Sequence, residues 1–162
     1  MIRPMDPNHL RFMREAIELS FSGMRRNDGG PFGAIVVKDG VIIGRGNNQV
    51  TATNDPTAHA EVVAIREACR HLGTFQLEGC TIYTSCEPCP MCLGAIYWAR
   101  PARIFFGCSR EDAARIDFDD DFLYREFQLP IEQRKIPTEQ LLREEAVKAF
   151  EEWHSKADKT TY

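Results

Sequence analysis

The feature that most limits how this chain can fold is the grouping of metal-binding residue types in two short fragments. Residues 59–61 read His-Ala-Glu, and residues 88–92 read Pro-Cys-Pro-Met-Cys. Each fragment stands at the start of a segment with helical periodicity, and residues 62–87 between them leave room for a helix and a strand. The fold must therefore bring together two helix N-termini that are far apart in the sequence.

The first half of the chain predicts a helix followed by a hairpin. Apolar residues recur every three to four positions over residues 8–23, which predicts an amphipathic helix that ends at Gly23. Two β-branched runs, residues 33–37 and 41–44, flank an Asp-Gly pair. Because Asp-Gly is favoured in tight two-residue turns, these runs are predicted to be antiparallel strands.

The middle of the chain predicts a parallel crossover. Capping residue types and a proline precede a helix expected over residues 57–72. Residues 81–84 and 103–106 are β-rich, and residues 90–98 between them are helical in pattern. Since such connections are almost always right-handed, the pattern predicts an α/β sandwich with an antiparallel edge hairpin.

The last third is less regular. Residues 117–121 predict an acidic loop, and the residues themselves leave 136–142 ambiguous. A terminal amphipathic helix is indicated by Ala146, Ala149, Phe150 and Trp153. We expect a single domain over residues 1–155 and a polar tail over residues 156–162.

Composition narrows the possible partners. The net charge is −4, and the basic residues form no cluster of the kind that phosphate-backbone binding requires. Residues 1–10 lack a basic segment followed by an apolar one, and no apolar run approaches the length of a membrane span. We therefore expect a soluble, cytoplasmic protein in which the six cysteines serve metal or redox chemistry rather than disulfides.

The two fragments together predict a catalytic zinc site. His59, Cys89 and Cys92 supply one imidazole and two thiolates, which leaves the fourth position of Zn²⁺ to water. Helix N-termini carry partial positive charge, which favours thiolate over thiol and so favours metal binding. Glu61 stands two residues after the histidine in the same first helical turn, where it could move protons to and from that water.

Two other uses of the same residues are possible. A closed structural zinc site could use Cys80 or Cys86 together with Cys89, Cys92 and a histidine. Alternatively, the chain could be a non-catalytic zinc protein that serves as an interaction module. Glu61 argues against both alternatives, because neither needs a proton shuttle beside the metal.

Three fragments carry a resemblance to a known family. They are residues 29–34 (Gly-Gly-Pro-Phe-Gly-Ala), 54–61 (Asn-Asp-Pro-Thr-Ala-His-Ala-Glu) and 84–92 (Thr-Ser-Cys-Glu-Pro-Cys-Pro-Met-Cys). They resemble the cytidine-deaminase-like superfamily and, within it, the bacterial guanine deaminases. The resemblance implies a three-layer α/β/α sandwich with a mixed five-stranded sheet, whose last strand is residues 136–142.

The resemblance also implies a function and a set of site residues. It implies hydrolysis of guanine at C2, giving xanthine and ammonia, with one Zn²⁺ per subunit held by His59, Cys89 and Cys92. The implied catalytic residues are Glu61, which shuttles protons, and Asp120, which orients the departing amine. The implied substrate-binding residues are Asn48, Ala60, Phe32, Trp98 and Tyr162.

Without the resemblance, several of these residues have simpler explanations. Asn48 would be a turn residue, and the acidic run around Asp120 would be a solvated loop. Phe32 and Trp98 would belong to the core.

The resemblance further implies a homodimer in which the C-terminal segment swaps onto the partner subunit and Tyr162 closes its active site. A guanosine or 2′-deoxyguanosine deaminase remains open, because that branch of the family is very similar. A deaminase of transfer-RNA adenosine is less well supported, because the C-terminal helix is mixed to acidic. The acidic residues of that helix are Glu144, Glu145, Glu151 and Glu152.

Overall fold

A computed structural model of the chain describes residues 7–118 and 120–162. It contains two compact units, the first ending at Asp121 and the second spanning Phe122–Tyr162. Residues 1–6 of the expected domain, and Asp119 of the expected acidic loop, lie outside the described residues. The expected domain boundary at residue 155 stays a prediction.

The helices and strands alternate in the first unit, and the second unit is helical. The first unit contains α1 (Pro7–Arg25), β1 (Gly33–Lys38), β2 (Val41–Asn47), α2 (Val50–Thr53), α3 (Ala60–Leu72), β3 (Thr81–Cys86), α4 (Pro90–Ala99), β4 (Arg103–Cys108) and α5 (Arg110–Ala114). Next come α6 (Asp121–Gln128), a short 3₁₀ turn (Ile131–Gln133) and α7 (Arg143–Ser155).

The sheet is mixed, with strand order β2-β1-β3-β4. The predicted hairpin is confirmed, since β1 and β2 are antiparallel. Its turn uses positive φ at Asp39 (49°) and Gly40 (78°), as a tight hairpin turn requires. The predicted crossover is also confirmed, because β3 and β4 are parallel and α4 connects them.

Helices cover both faces of this sheet, because successive side chains of a strand point to opposite sides. On one face, α1 packs in a buried cluster formed by Phe12, Ala16, Ile35, Val37 and Tyr83. On the other face, α3 and α4 pack in a cluster that includes Ala34, Val36, Ala64, Ala68, Ile82 and Ile96. The first unit therefore has the predicted three layers.

Two glycines of β2 allow α3 to lie very close to the sheet. A Cβ added at Gly46 would stand 2.1 Å from the carbonyl oxygen of Ala60, and one added at Gly44 would stand 2.4 Å from that of Ala64. Neither contact leaves room for a side chain, because the obstructing atoms belong to the helix backbone.

The helices begin and end at slightly different places than predicted. Helix α1 continues two residues beyond Gly23, to Arg25. Helix α3 begins at Ala60 instead of near residue 57. The cause is a local turn in which Asp55 Oδ1 accepts hydrogen bonds from the backbone N–H and the hydroxyl of Thr57, at 2.8 and 2.7 Å.

The predicted fifth strand is wrong, because the sheet in the described part of the chain has four strands. Residues 136–142 form neither helix nor strand. Pro137 has no N–H to donate to a ladder, and Leu142 takes a left-handed φ of 52° at the start of α7. Ile136 and Leu141 are largely exposed, so these residues lack the burial on which a strand of this composition depends.

The predicted terminal helix is confirmed as α7, although none of its residues is buried. Among the described residues, no helix is both long and apolar enough to cross a membrane.

Candidate zinc centre and substrate cavity

The two predicted ligand fragments stand at helix N-termini. His59 is the N-cap residue of α3 and Cys89 that of α4, and both have extended backbone conformations (ψ 154° and 167°). Neither side chain makes an N-cap hydrogen bond to its own helix. Each is therefore directed to other partners, while the first-turn N–H groups contribute partial positive charge beside it.

The three predicted ligands are brought together. His59 Nδ1 lies 3.6 Å from Cys89 Sγ and 3.4 Å from Cys92 Sγ. All three candidate ligand atoms lie within 4.8 Å of one another. A tetrahedral ion with Zn–S of about 2.3 Å and Zn–N of about 2.0 Å holds sulfur and nitrogen ligands about 3.5 Å apart. The two nitrogen–sulfur distances therefore match those of a tetrahedral Zn²⁺ site.

The electrostatics of the cluster favour metal binding. The pKa of Cys89 is lowered to about 4, because the Cys92 thiol donates a hydrogen bond to its sulfur and the His59 ring adds a second. The hydrogen bond to Cys89 in turn raises the pKa of His59. A thiolate already stabilised by its neighbours is a ready ligand for a divalent cation.

Glu61 lies beside this cluster and is only 6% exposed. Its Oε1 accepts a hydrogen bond from Thr84 Oγ1 at 3.0 Å, and its Oε2 lies 3.4 Å from Cys92 Sγ. Burial raises the pKa of this carboxyl group above its ordinary value. A carboxyl group with a raised pKa next to a metal ligand set is suited to taking up and releasing protons near neutral pH.

A cavity of about 250 Å³ opens onto His59, Cys89 and Glu61. The other residues that line it are Gly30, Phe32, Asn48, Val50, Thr51, Cys86, Glu87, Phe118 and Asp120. Two of the predicted substrate residues, Asn48 and Phe32, are among them, as is the predicted second carboxylate, Asp120. The cavity is enclosed mainly by apolar atoms, with a few polar groups placed to orient a ligand.

Asn48 is held in one orientation. It is 5% exposed, and its Oδ1 accepts a hydrogen bond from the backbone N–H of Val50 at 3.2 Å. Gly29 packs so closely against it that an added Cβ would stand 2.1 Å from Oδ1. With its oxygen engaged by the backbone, Asn48 retains its NH₂ group for a hydrogen-bond acceptor in the cavity.

Two aromatic rings form part of the cavity wall. Phe32 and Phe118 meet edge to face, with ring centroids 4.9 Å apart. Gly30 lies against both rings, and a Cβ at that position would stand 2.7 Å from the Phe118 ring. An edge-to-face pair of this kind is a stable apolar surface against which a flat ring can pack.

Three of the predicted substrate-binding residues, Trp98, Tyr162 and Ala60, do not line this cavity. Trp98 is 63% exposed near the end of α4, so the predicted substrate wall at this position is not formed within the single chain, and core burial is excluded as well. Tyr162 belongs to the second unit and is 69% exposed. Ala60 is fully buried as the first residue of α3, where its N–H is one of the first-turn donors.

The structure brings to the site further residues to which the sequence assigns no role, and three of them are polar or aromatic side chains placed to contact the shuttle or a ligand. Thr84 contacts Glu61, and Glu87 and Phe118 line the cavity. Thr84 could have been found from strand alternation, since Ile82 faces the α3 side of the sheet and residue 84 shares its face. No local pattern distinguishes Phe118, because its position depends on the loop after α5.

The alternative of a closed structural zinc site is not supported. Among the described residues, Cys80 and Cys86 do not join the cluster of candidate ligands. Cys80 is fully buried just before β3, and burial raises the pKa of the Cys86 thiol to about 12. Three protein ligands leave one tetrahedral position open, as in catalytic zinc sites.

The mixed sheet between helices, with His, Cys and Cys at two helix N-termini and a buried glutamate beside them, defines a zinc-dependent deaminase. The chain belongs to the family described as the cytidine and deoxycytidylate deaminase zinc-binding region, which matches residues 6–108. Within that family, it is 53% identical over 155 residues to the guanine deaminase of Bacillus subtilis, which covers 96% of this chain and 99% of that protein.

Structural comparison agrees with this relationship. The X-ray structure of the guanine deaminase from Bacillus subtilis matches with a TM-score of 0.93 and 52% identity, covering 98% of this chain and 99% of that one. A more partial match is the tRNA-specific adenosine deaminase of Aquifex aeolicus, which is 51% identical over 76 residues, 47% of this chain and 50% of that protein. Similarity to the guanine deaminase thus extends well beyond the metal-binding region.

Proposed function

We propose that this chain catalyses the hydrolytic deamination of guanine to xanthine and ammonia. The observation that carries the proposal is the near-complete correspondence with a guanine deaminase, at 53% identity over 96% of the chain, around an intact His-Cys-Cys-Glu site. The match to the tRNA-specific enzyme covers only 47% of the chain.

The chain's own residues can carry out the proton movements of this reaction. Zn²⁺, when held by His59, Cys89 and Cys92, would supply an activated water. Glu61 would accept a proton from that water and deliver it to a ring nitrogen of the purine. It would then take the proton of the hydroxyl group newly bonded to the attacked carbon and pass it to the leaving amine, so that the carbonyl forms as the C–N bond breaks. Its buried position beside Cys92 keeps the carboxylate within reach of both the water and the substrate.

The cavity supports a bare base as the substrate. Its volume of about 250 Å³ lies below the roughly 300–1,000 Å³ of cavities that hold drug-sized ligands. The Asn48 NH₂ group would donate to an acceptor on the purine, and Phe32 would pack against its ring. The N–H of Ala60 would lie near the carbon that is attacked, since it belongs to the first turn of α3.

Asp120 is proposed as a second carboxylate, which orients the exocyclic amine and assists its departure. It lines the cavity and lies near enough to His59 to contribute to the raised pKa of that ring. Its position supports an interaction with a group that becomes positively charged as it leaves.

The active form is proposed to be a homodimer in which residues 156–162 of each chain reach the partner's site and Tyr162 closes it. Two observations support a partner surface: α7 has no buried residue, and Phe150 is 77% exposed. Trp98, which is exposed in the single chain, could complete such a closed site. The cytoplasmic location expected from the sequence stays a prediction.

The decisive experiment is ammonia release by the zinc-loaded protein with guanine, guanosine and a transfer RNA supplied separately. Release from guanine alone would support the proposal, provided that a Glu61→Gln preparation with normal zinc content does not release ammonia. Release from guanosine alone would assign the nucleoside reaction instead, and release from the RNA would assign the editing reaction. No release from any of the three would overturn the proposed chemistry.

A further inference from the structure

One hydrogen bond to the Glu61 side chain comes from a residue that has no place in the reaction described so far. Thr84 Oγ1 donates to Glu61 Oε1 at 3.0 Å, and Thr84 is only 1% exposed. Both side chains are buried, and a buried polar group left without a partner is costly, so the hydrogen bond between them is strongly favoured.

Thr84 lies on one of the two central strands of the sheet. Strand β3 pairs on both sides, and Thr84 lies opposite Ala34 of β1 and opposite Phe106 of β4. A residue paired on both sides has little freedom to follow a neighbour, so it fixes the position of the group that it contacts. Glu61 lies on a different element, in the first turn of α3. Its hydrogen bond to Thr84 therefore connects that helix to the sheet at the site itself.

The two oxygens of Glu61 therefore have different surroundings. Oε1 faces the strand and is engaged by Thr84, whereas Oε2 lies 3.4 Å from Cys92 Sγ, on the side of the zinc ligands. We propose that Thr84 is a positioning residue that holds Oε1 and thereby leaves Oε2 as the oxygen that exchanges protons. This inference rests on the proposed deamination, because it names how the shuttle of that reaction is oriented.

The arrangement is consistent with both protonation states of the shuttle. When Glu61 is ionised, Oε1 accepts the hydroxyl hydrogen of Thr84 as a carboxylate oxygen. When a proton is held on Oε2, Oε1 becomes the carbonyl oxygen of the acid and can accept the same hydrogen. The hydrogen bond to Thr84 can thus persist through the cycle, and the carboxyl group need not rotate between steps.

Zinc binding makes Thr84 more important. In the metal-free site the Cys92 thiol donates to Oε2, whereas a zinc ligand is a thiolate with no hydrogen to donate. The Thr84 hydroxyl does not depend on the metal. It therefore orients the carboxyl group in the loaded site, where proton transfer takes place.

The test compares Thr84→Val, which removes the hydroxyl at nearly constant shape, with Thr84→Ser, which keeps it. Thr81→Val is the matched control, because residue 81 begins the same strand and lies outside the cavity. For zinc-loaded Thr84→Val we expect kcat for guanine to fall about 10- to 100-fold with KM changed less than about threefold. Thr84→Ser should recover most of the lost kcat, and Thr81→Val should match the unaltered protein.

Crystal structures of the same variants give a readout that does not depend on activity. The Glu61 carboxyl group should be rotated or disordered in Thr84→Val and should keep its position in Thr84→Ser, with equal zinc occupancy in both. A Thr84→Val protein with an unmoved carboxyl group and unchanged kcat would overturn the inference. If the unaltered protein did not deaminate guanine, the proposed function would fail, and the carboxyl position would still decide the role of Thr84.

Discussion

The region of the first unit around the candidate zinc ligands and the helical second unit differ in how many of their side chains are buried. Around the ligands, Glu61 and Cys92 are buried and hydrogen-bonded, on elements that share a continuous core. In the second unit α6 and α7 have no buried residues, and apolar side chains such as Phe150 remain exposed. The candidate ligand cluster is thus assembled from residues of the first unit, whereas large apolar side chains of the second unit remain exposed.

This contrast predicts that substitution of a candidate zinc ligand causes the largest loss of activity. Cys92→Ser should abolish both zinc binding and turnover, because a hydroxyl is a poor ligand for Zn²⁺ and the site has only three protein ligands to begin with. Metal analysis and an ammonia assay would measure both effects. The control is Cys108→Ser, which changes an exposed cysteine outside the ligand cluster. A fully active Cys92→Ser protein would show that the metal is held elsewhere.

Glu61→Gln should separate chemistry from metal binding. We expect turnover to fall by about 10²- to 10⁴-fold, the usual contribution of a positioned general acid and base, with zinc content unchanged. Glu67→Gln, on an exposed position of the same helix, should retain full turnover. Equal turnover in both variants would remove Glu61 from the mechanism.

Glu61→Gln is also expected to change how the stability of the metal-free protein depends on pH. Burial raises the pKa of Glu61, so the folded metal-free protein holds a proton that the unfolded chain has already released. The free energy of unfolding therefore decreases as the pH rises above the ordinary pKa of a glutamate. Since Gln carries no charge, metal-free Glu61→Gln should be at least as stable as the unaltered protein at pH 7 in thermal unfolding.

Asp120→Asn tests the proposed role of the second carboxylate, which lies near the end of the first unit. If the carboxylate assists the departing amine, kcat should fall about 10- to 100-fold, which corresponds to the loss of a hydrogen bond to a charged group. Asp117→Asn is a suitable control, because Asp117 is exposed and its φ of 67° is one that Asn accepts readily. Unchanged steady-state kinetics for Asp120→Asn would leave Asp120 as a solvated acidic residue.

The smallest expected loss of turnover results from a change in the second unit. Deleting residues 157–162 should reduce guanine turnover about tenfold, the scale of losing one aromatic contact with the substrate. Zinc content and the melting temperature should not change, because the ligands lie in the other unit. Thr160→Ala is the control within the tail. If the shortened protein keeps full activity, the proposed lid is excluded, and sedimentation would show separately whether the dimer persists.

The features that could be predicted from the sequence are those determined by residues close together in the chain. The Asp39-Gly40 turn and the ligand spacing are local, and the structure has both. The start of α3 was misplaced, because Asp55 satisfies the backbone around Thr57 in a turn instead of capping the helix. The fifth strand came from resemblance alone, and Pro137 together with the exposure of its neighbours explains its absence from this sheet.

The site residues divide in the same way. His59, Glu61 and the two cysteines were accessible from spacing, since their roles follow from residue type and helix position. Phe118 was not, because only the folded loop brings its ring to Phe32. For Trp98 the sequence leaves two interpretations, a substrate wall or a core residue, and in the single chain the residue is exposed and does not line the cavity.

The close packing of Gly46 against α3 makes metal binding vulnerable at a distance from the metal. The helix backbone can approach β2 only because nothing projects from residue 46, where an added Cβ would collide with the Ala60 carbonyl. Even an alanine there would displace the helix start, and with it His59 and Glu61, while Cys89 and Cys92 stayed with α4. A genetic screen that scored zinc loss would therefore identify residue 46 along with the ligands. Residue 46 would be found although it does not contact the ion, because it acts through the position of α3.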